Sequence, residues 1–126
     1  MKDLMVESDI LIDLLNGVEG ARNVLRAAAN EGVVLVCAIS AAEVMAAAAR
    51  ARREPTGELL ESFGIVPVEK EVALLAGEYW SDGGRGNVEL GDCIVAAVAE
   101  KLGSVLLTKG HRRYPGGEYK VRVVSY

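Results

Sequence analysis

The chain of 126 residues is poor in the residue types on which several kinds of chemistry depend. It has one histidine, His111, so a nuclease mechanism built on a pair of imidazoles as acid and base is excluded. It has two cysteines, Cys37 and Cys93, with no Cys-x-x-Cys pair and no Cys/His cluster at zinc-ligand spacing. Both stand in apolar surroundings and read as buried small hydrophobes in a reducing compartment. No apolar run approaches the ~20 residues that span a bilayer. The start, Met1-Lys2-Asp3, lacks the pattern of a secretory signal, so the expected location is the cytoplasm. Basic charge is not in excess either: a net charge of −4 argues against a protein that holds duplex DNA by charge alone. It leaves open an enzyme that cuts nucleic acid, because a carboxylate site counts as negative until a cation fills it. The glycine-rich stretch 81–87 lacks the Lys-Ser/Thr ending of a P-loop and the spacing of a dinucleotide fingerprint, and reads as a plain loop.

What is present is a globular composition. Half of the residues are apolar and a quarter charged, in a length that suits one core, so residues 1–126 read as one domain. The apolar residues are mostly Ala, Val and Leu, which suits small-residue helices packed on β-branched strands.

Strand and helix signals alternate. Residues 3–7 read as a buried strand, and Ser8 as the cap of a helix at 9–15 that Asn16-Gly17 ends. A helix at 19–30 and a strand at 33–36 follow. Ser40 marks the start of a helix at 41–53, closed by Arg50, Arg52 and Arg53. A short helix at 55–62 precedes a strand at 65–68, placed near a sheet edge by Pro67. Helices at 69–80 and from 87 or 88 to 102, a strand at 105–107, a basic loop at 109–119 and a last strand at 120–124 complete the chain. This alternation predicts an α/β fold with a mostly parallel sheet of four to five strands and helices on both faces.

Three acids stand where such a fold gathers ligands. Glu7 ends the first strand, and Glu43 and Asp92 lie in early helical turns far along the chain. Carboxylates packed together repel one another until protons or a cation neutralise them. A hard cation such as Mg²⁺ or Mn²⁺ prefers oxygen ligands, acidifies bound water and offsets charge developing on a phosphate. Each acid also has a plain structural reading. Ser40-Ala-Ala-Glu43 has the form of a capping box, Asp92 suits a helix dipole, and Glu7 can be a solvated strand end. The basic residues Lys109, His111, Arg112 and Arg113 either hold RNA phosphates beside such a rim or form an ordinary surface loop. Tyr79 and Trp80 read as packing a helix end.

Four segments resemble, in order and spacing, the blocks of the PIN-domain ribonucleases, in particular the VapC-type toxins of prokaryotic toxin–antitoxin pairs. They are Leu-Met-Val-Glu-Ser-Asp-Ile-Leu-Ile-Asp-Leu-Leu-Asn-Gly from Leu4, Ala-Ile-Ser-Ala-Ala-Glu-Val from Ala38, Leu-Gly-Asp-Cys-Ile-Val-Ala-Ala-Val-Ala from Leu90 and Val-Leu-Leu-Thr-Lys-Gly from Val105. The resemblance covers nearly the whole chain. It implies a PIN-like domain and a Mg²⁺- or Mn²⁺-dependent endoribonuclease, homodimeric and restrained by a cognate antitoxin. It also implies Glu7, Glu43 and Asp92 as both metal ligands and catalytic residues.

Two positions depart from the family pattern. Glu7 stands where the family has aspartate, a shift of about 1 Å in carboxylate position, which in an active site can cost about 10²-fold in rate. Gly110 stands at the family's fourth acidic or amide position, for which Asp9, Glu89 and Asp82 are the available substitutes. These departures motivate an alternative reading, a catalytically weakened PIN module that binds antitoxin or RNA without efficient cleavage.

Overall fold

The structure, a computed structural model, describes residues 2–84, 88–110 and 119–126. These form five strands and six helices: β1 (Lys2–Val6), α1 (Ser8–Leu15), α2 (Glu19–Glu31), β2 (Gly32–Cys37), α3 (Ala38–Ala47), α4 (Arg53–Glu61), β3 (Gly64–Val66), α5 (Lys70–Tyr79), α6 (Leu90–Leu102), β4 (Val105–Thr108) and β5 (Lys120–Val123). The sheet order is β3-β2-β1-β4-β5, and every neighbouring pair is parallel. β3 is an edge strand as expected, with Pro67 just beyond its end. None of the described helices is long and apolar enough to cross a membrane.

The apolar runs of β1 and β4 are explained by burial on both faces of the sheet. Leu4 and Val6 of β1, with Val105 and Leu107 of β4, join Ile10, Leu11, Leu25, Val44 and Leu60 in one core beneath α1–α4. Met5 and Leu106 point the other way, into a second core with Cys37, Val72, Ala76, Cys93 and Val98 under α5 and α6. A parallel sheet needs crossover helices, and each helix that follows a strand begins at that strand's carboxyl end. The amino termini of α1 and α3 therefore gather at one rim. Because β4 follows α6, the amino terminus of α6 lies there too.

Several helix boundaries differ from the expectation. Ser8 and Ser40 are not caps. The capping residues are Glu7 and Cys37, and neither caps through its side chain among the described residues. β2 runs directly into α3, and Glu7 alone separates β1 from α1. The helix expected at 41–53 ends at Ala47, because Ala48 and Ala49 are extended. Arg50–Arg52 form a 3₁₀ turn, and Arg53 opens α4. The arginines therefore do not close α3; Arg52 Nη2 donates instead to the Leu15 carbonyl, 2.8 Å away, at the end of α1. The chain after α5 is a π-helical turn, Trp80–Gly84, rather than loop, while residues 85–87 lie outside the described residues. Trp80 and Tyr79 do pack helix ends: the indole N–H donates to the Val88 carbonyl at 3.0 Å, and the Tyr79 hydroxyl bonds Glu100.

Candidate metal centre at the carboxyl rim

β1 is the strand from which the sheet order runs in opposite directions, to β2 on one side and β4 on the other. The carboxyl end of such a strand opens a crevice between diverging connections, where α/β folds bind ligands. Glu7 occupies that end. Its N–H donates to the Leu107 carbonyl at 2.9 Å, continuing the β1–β4 ladder one residue past the strand. Its side chain is 1% exposed. Ser40, also buried, donates its hydroxyl to Glu7 Oε1 at 3.1 Å. A glutamate at a helix start with its carboxylate turned inward is costly to bury unless charge or hydrogen bonds compensate it.

Ser40 stands in the first turn of α3, and Glu43 lies one turn further on the same helix, half-buried. This register rules out the capping box: the cap lies at Cys37, so Glu43 is beyond the first turn. The carboxylate of Glu43 lies against the start of α6, where a Cβ at Gly91 would stand 3.9 Å from Glu43 Oε2. Asp92, the next residue, is 7% exposed and sits in the first turn of α6. Glu7, Glu43 and Asp92 thus belong to three elements, β1, α3 and α6, whose ends lie at the same rim. The amino-terminal dipoles of α1, α3 and α6 favour negative charge there.

Cys37, between β2 and α3, senses two of these acids. Burial raises its thiol pKa, Ile39 and Ser40 N–H groups lower it, and the neighbouring Glu7 and Glu43 carboxylates raise it further. Glu7, Glu43 and Asp92 themselves offer only oxygen donors. That chemistry fits a hard divalent cation and not zinc or copper. Among the described residues, no three His, Cys, Asp or Glu side chains stand close enough to enclose an ion as they are.

Asp9, Glu89 and Asp82 take different places. Asp9 Oδ2 accepts from Thr108 Oγ1 at 3.1 Å, from the Lys109 N–H at 3.1 Å and from the Gly110 N–H at 3.0 Å, while Oδ1 accepts from the Ile10 N–H at 2.8 Å. A carboxylate has about four acceptor sites, so Asp9 is occupied by the protein itself. Glu89 is the exposed cap of α6, and Asp82 is exposed in the π-helical turn. Lys109 is turned toward Asp13, with Nζ 2.5 Å from Oδ2 and 5.4 Å from the centre of the Tyr126 ring, whose hydroxyl also bonds Asp13 at 2.6 Å. His111, Arg112 and Arg113 lie outside the described residues.

Of the supporting residues, Ser40 carries the signature of a cap in the sequence, while Asp9 stands there as one of three available substitutes at the Gly110 position. The available signal was the short polar turn Thr108-Lys109-Gly110, which leaves a buried strand neighbouring the one that ends beside Asp9.

Residues 4–114 match the model of the PIN domain. Ribonuclease VapC10 of Mycobacterium tuberculosis is 32% identical over 114 residues, 89% of this chain and 86% of that protein. The chain belongs to the PIN-domain family, among its VapC-type ribonucleases. Among solved structures, a toxin–antitoxin complex from Klebsiella pneumoniae superposes with a TM-score of 0.72 at 24% identity, covering 85% of this chain and 86% of that one. The Mycobacterium tuberculosis toxin VapC20, described as cleaving the sarcin–ricin loop, gives 0.67 at 15% identity, covering 82% and 86%. Both share the PIN fold described above. PIN-domain VapC nucleases depend on a divalent metal ion, which agrees with the oxygen donors of the three acids.

Proposed function

We propose that Glu7, Glu43 and Asp92 together hold a divalent ion, Mg²⁺ or Mn²⁺, and that this site hydrolyses RNA phosphodiester bonds. The observation that supports the reading is the buried Glu7 carboxylate at the switch point of the sheet, with Glu43 and Asp92 on elements that reach the same rim. When bound, the ion supplies an acidified water and offsets charge developing on the phosphate. The chain's own residues supply the rest. Ser40 donates to one oxygen of Glu7 and helps to hold the carboxylate at the strand end. Glu43 and Asp92 complete an acidic face that excludes RNA phosphate unless a cation intervenes. The longer reach of Glu7, relative to aspartate, suits a carboxylate seated deep beneath Ser40, which supports a working rather than a disarmed site.

An antitoxin that restrains the enzyme, a homodimeric assembly and a cytoplasmic location belong to the same reading. The antitoxin is supported by the Klebsiella relative, which was solved as a toxin–antitoxin complex.

The test is cleavage of a structured RNA by purified protein in Mg²⁺ or Mn²⁺, against chelator. Glu43→Gln and Asp92→Asn are each expected to lose about 10²-fold or more, the scale of removing a group that stabilises transition-state charge. Parent-like cleavage by both variants would remove these residues from the site.

A further inference from the structure

We propose that Asp9 is a positioning residue: its carboxylate fastens the Thr108–Gly110 turn at the carboxyl end of β4 and so stands in for a side chain at Gly110. The inference deepens the proposed metal-centre reading and rests on it. The geometry is unusual for a surface acid. Asp9 lies two residues after Glu7, in the first turn of α1, and gathers the hydroxyl of Thr108 and the backbone N–H groups of Lys109 and Gly110 on one oxygen, at 3.0–3.1 Å. The Gly110 N–H is shared with Thr108 Oγ1 at 3.3 Å. Backbone N–H groups aimed at a carboxylate form charge-assisted bonds stronger than neutral ones.

The consequence is a rigid join across the crevice. β1 and β4 are paired along their length, Leu4 to Val6 against Val105 to Leu107, and Glu7 extends the ladder to Leu107. Beyond that point the two chains part, and only side chains can hold them together. Asp9 does so from the α1 side by its carboxylate. One helical turn along the same helix, Asp13 does so by gripping the Lys109 ammonium. Glu7 therefore hangs between a ladder and a polar clasp, which limits how far its backbone can drift. The proposal assigns Asp9 to the clasp and not to the metal: Oδ2 accepts three hydrogen bonds from the turn and Oδ1 one from Ile10.

The experiment compares Asp9→Ala and Asp9→Asn by three readouts: amide hydrogen exchange at Lys109 and Gly110, Mn²⁺ affinity by calorimetry, and kcat and KM for RNA cleavage. An asparagine oxygen still accepts from the two N–H groups, whereas alanine cannot. Asp9→Ala should speed exchange of the two amides by about tenfold, the scale of losing a hydrogen bond to a charged group. It should lower kcat more than it raises KM, and Asp9→Asn should recover most of both losses. Mn²⁺ affinity should stay within about twofold in either variant, since the Asp9 carboxylate is engaged by the Thr108–Gly110 turn and the Ile10 N–H. Unchanged amide exchange in Asp9→Ala would overturn the proposal. So would a loss of Mn²⁺ affinity shared by both variants, which would make Asp9 a ligand. The exchange readout does not depend on the metal-centre assignment, so failure of Glu43→Gln and Asp92→Asn to change cleavage would strike that assignment and leave the clasp separately tested.

Discussion

At the scale of single residues, Glu7 shows how a function is written against stability. It is a buried carboxylate that accepts the Ser40 hydroxyl, and together with Glu43 it acts on the Cys37 thiol. Glu7→Gln keeps the shape and the oxygen that Ser40 donates to, but removes the charge. In chelator, its melting temperature should equal or exceed that of the parent, because a carboxylate is costlier to bury than an amide and sites of this kind trade stability for activity. Its cleavage of RNA should fall by about 10²-fold or more. Thermal melting and a cleavage assay on the same preparation check both halves. Ser40→Ala removes a buried donor from a charged acceptor and should cost about 1–3 kcal/mol, read from denaturant unfolding. Cys37 offers a third check. It is fully buried, and burial together with Glu7 and Glu43 raises its thiol above the ordinary value, while the N–H groups of Ile39 and Ser40 oppose this only in part. Cys93 is also fully buried and raised, by burial first and then by Asp92. Thiolate, not thiol, reacts with disulfide reagents. Neither cysteine should therefore label at neutral pH until the protein unfolds, and labelling of the native protein would contradict this burial.

At the scale of elements, the ends of α1 and β4 are joined by Asp13, Lys109 and Tyr126. The Lys109 ammonium lowers the pKa of Asp13 by its hydrogen bond first, the Tyr126 hydroxyl adds to this, and partial burial opposes both. A folded value below the ordinary 3.8 means that the folded chain releases this proton more readily than the unfolded one. The stabilisation is complete above the ordinary value and is lost as pH falls through the lower, folded one. The difference in melting temperature between the parent and Asp13→Asn should therefore be full above about pH 5 and shrink progressively below about pH 4. Gly20 tests the same corner from α2: a Cβ there would collide with Cβ and the ring of Tyr126. Gly20→Ala should displace that side chain and destabilise by about 1–3 kcal/mol, the usual cost of overpacking.

The elements themselves were largely legible, because periodicity and turn residues are local. The five strands and six helices fall close to their expected positions, and Pro67 correctly announced an edge. What was not legible depended on distant partners. Nothing in a run of alanines tells α3 to stop at Ala47; Ala48 and Ala49 are extended, and Arg52 reaches back to a carbonyl of α1. Ser40 has the spacing of a cap, yet its hydroxyl serves Glu7, thirty-three positions earlier. The sequence offers Asp9, Glu89 and Asp82 alike at the Gly110 position, because Thr108, the partner that sets Asp9 apart, lies ninety-nine positions later.

At the scale of the whole molecule, sheet order is the feature that makes a site of scattered acids. With β1 in the middle and connections diverging to β2 and β4, the carboxyl end of β1 and the amino ends of α3 and α6 meet on one rim. Three acids separated by dozens of residues thus belong to elements that end at one rim, though none of them are neighbours in sequence. The strand-end position of Glu7 and the order of the three blocks pointed to that rim; the spacing of the carboxylates did not follow from them, since it depends on side-chain rotation. The central claim is that Glu7, Glu43 and Asp92 share one divalent ion. A titration of Mn²⁺ into the parent and into Glu7→Gln, Glu43→Gln and Asp92→Asn, followed by electron paramagnetic resonance, tests it most directly. The account predicts one site in the parent and a marked loss of affinity in each variant. Parent-like Mn²⁺ binding in any of the three would contradict it.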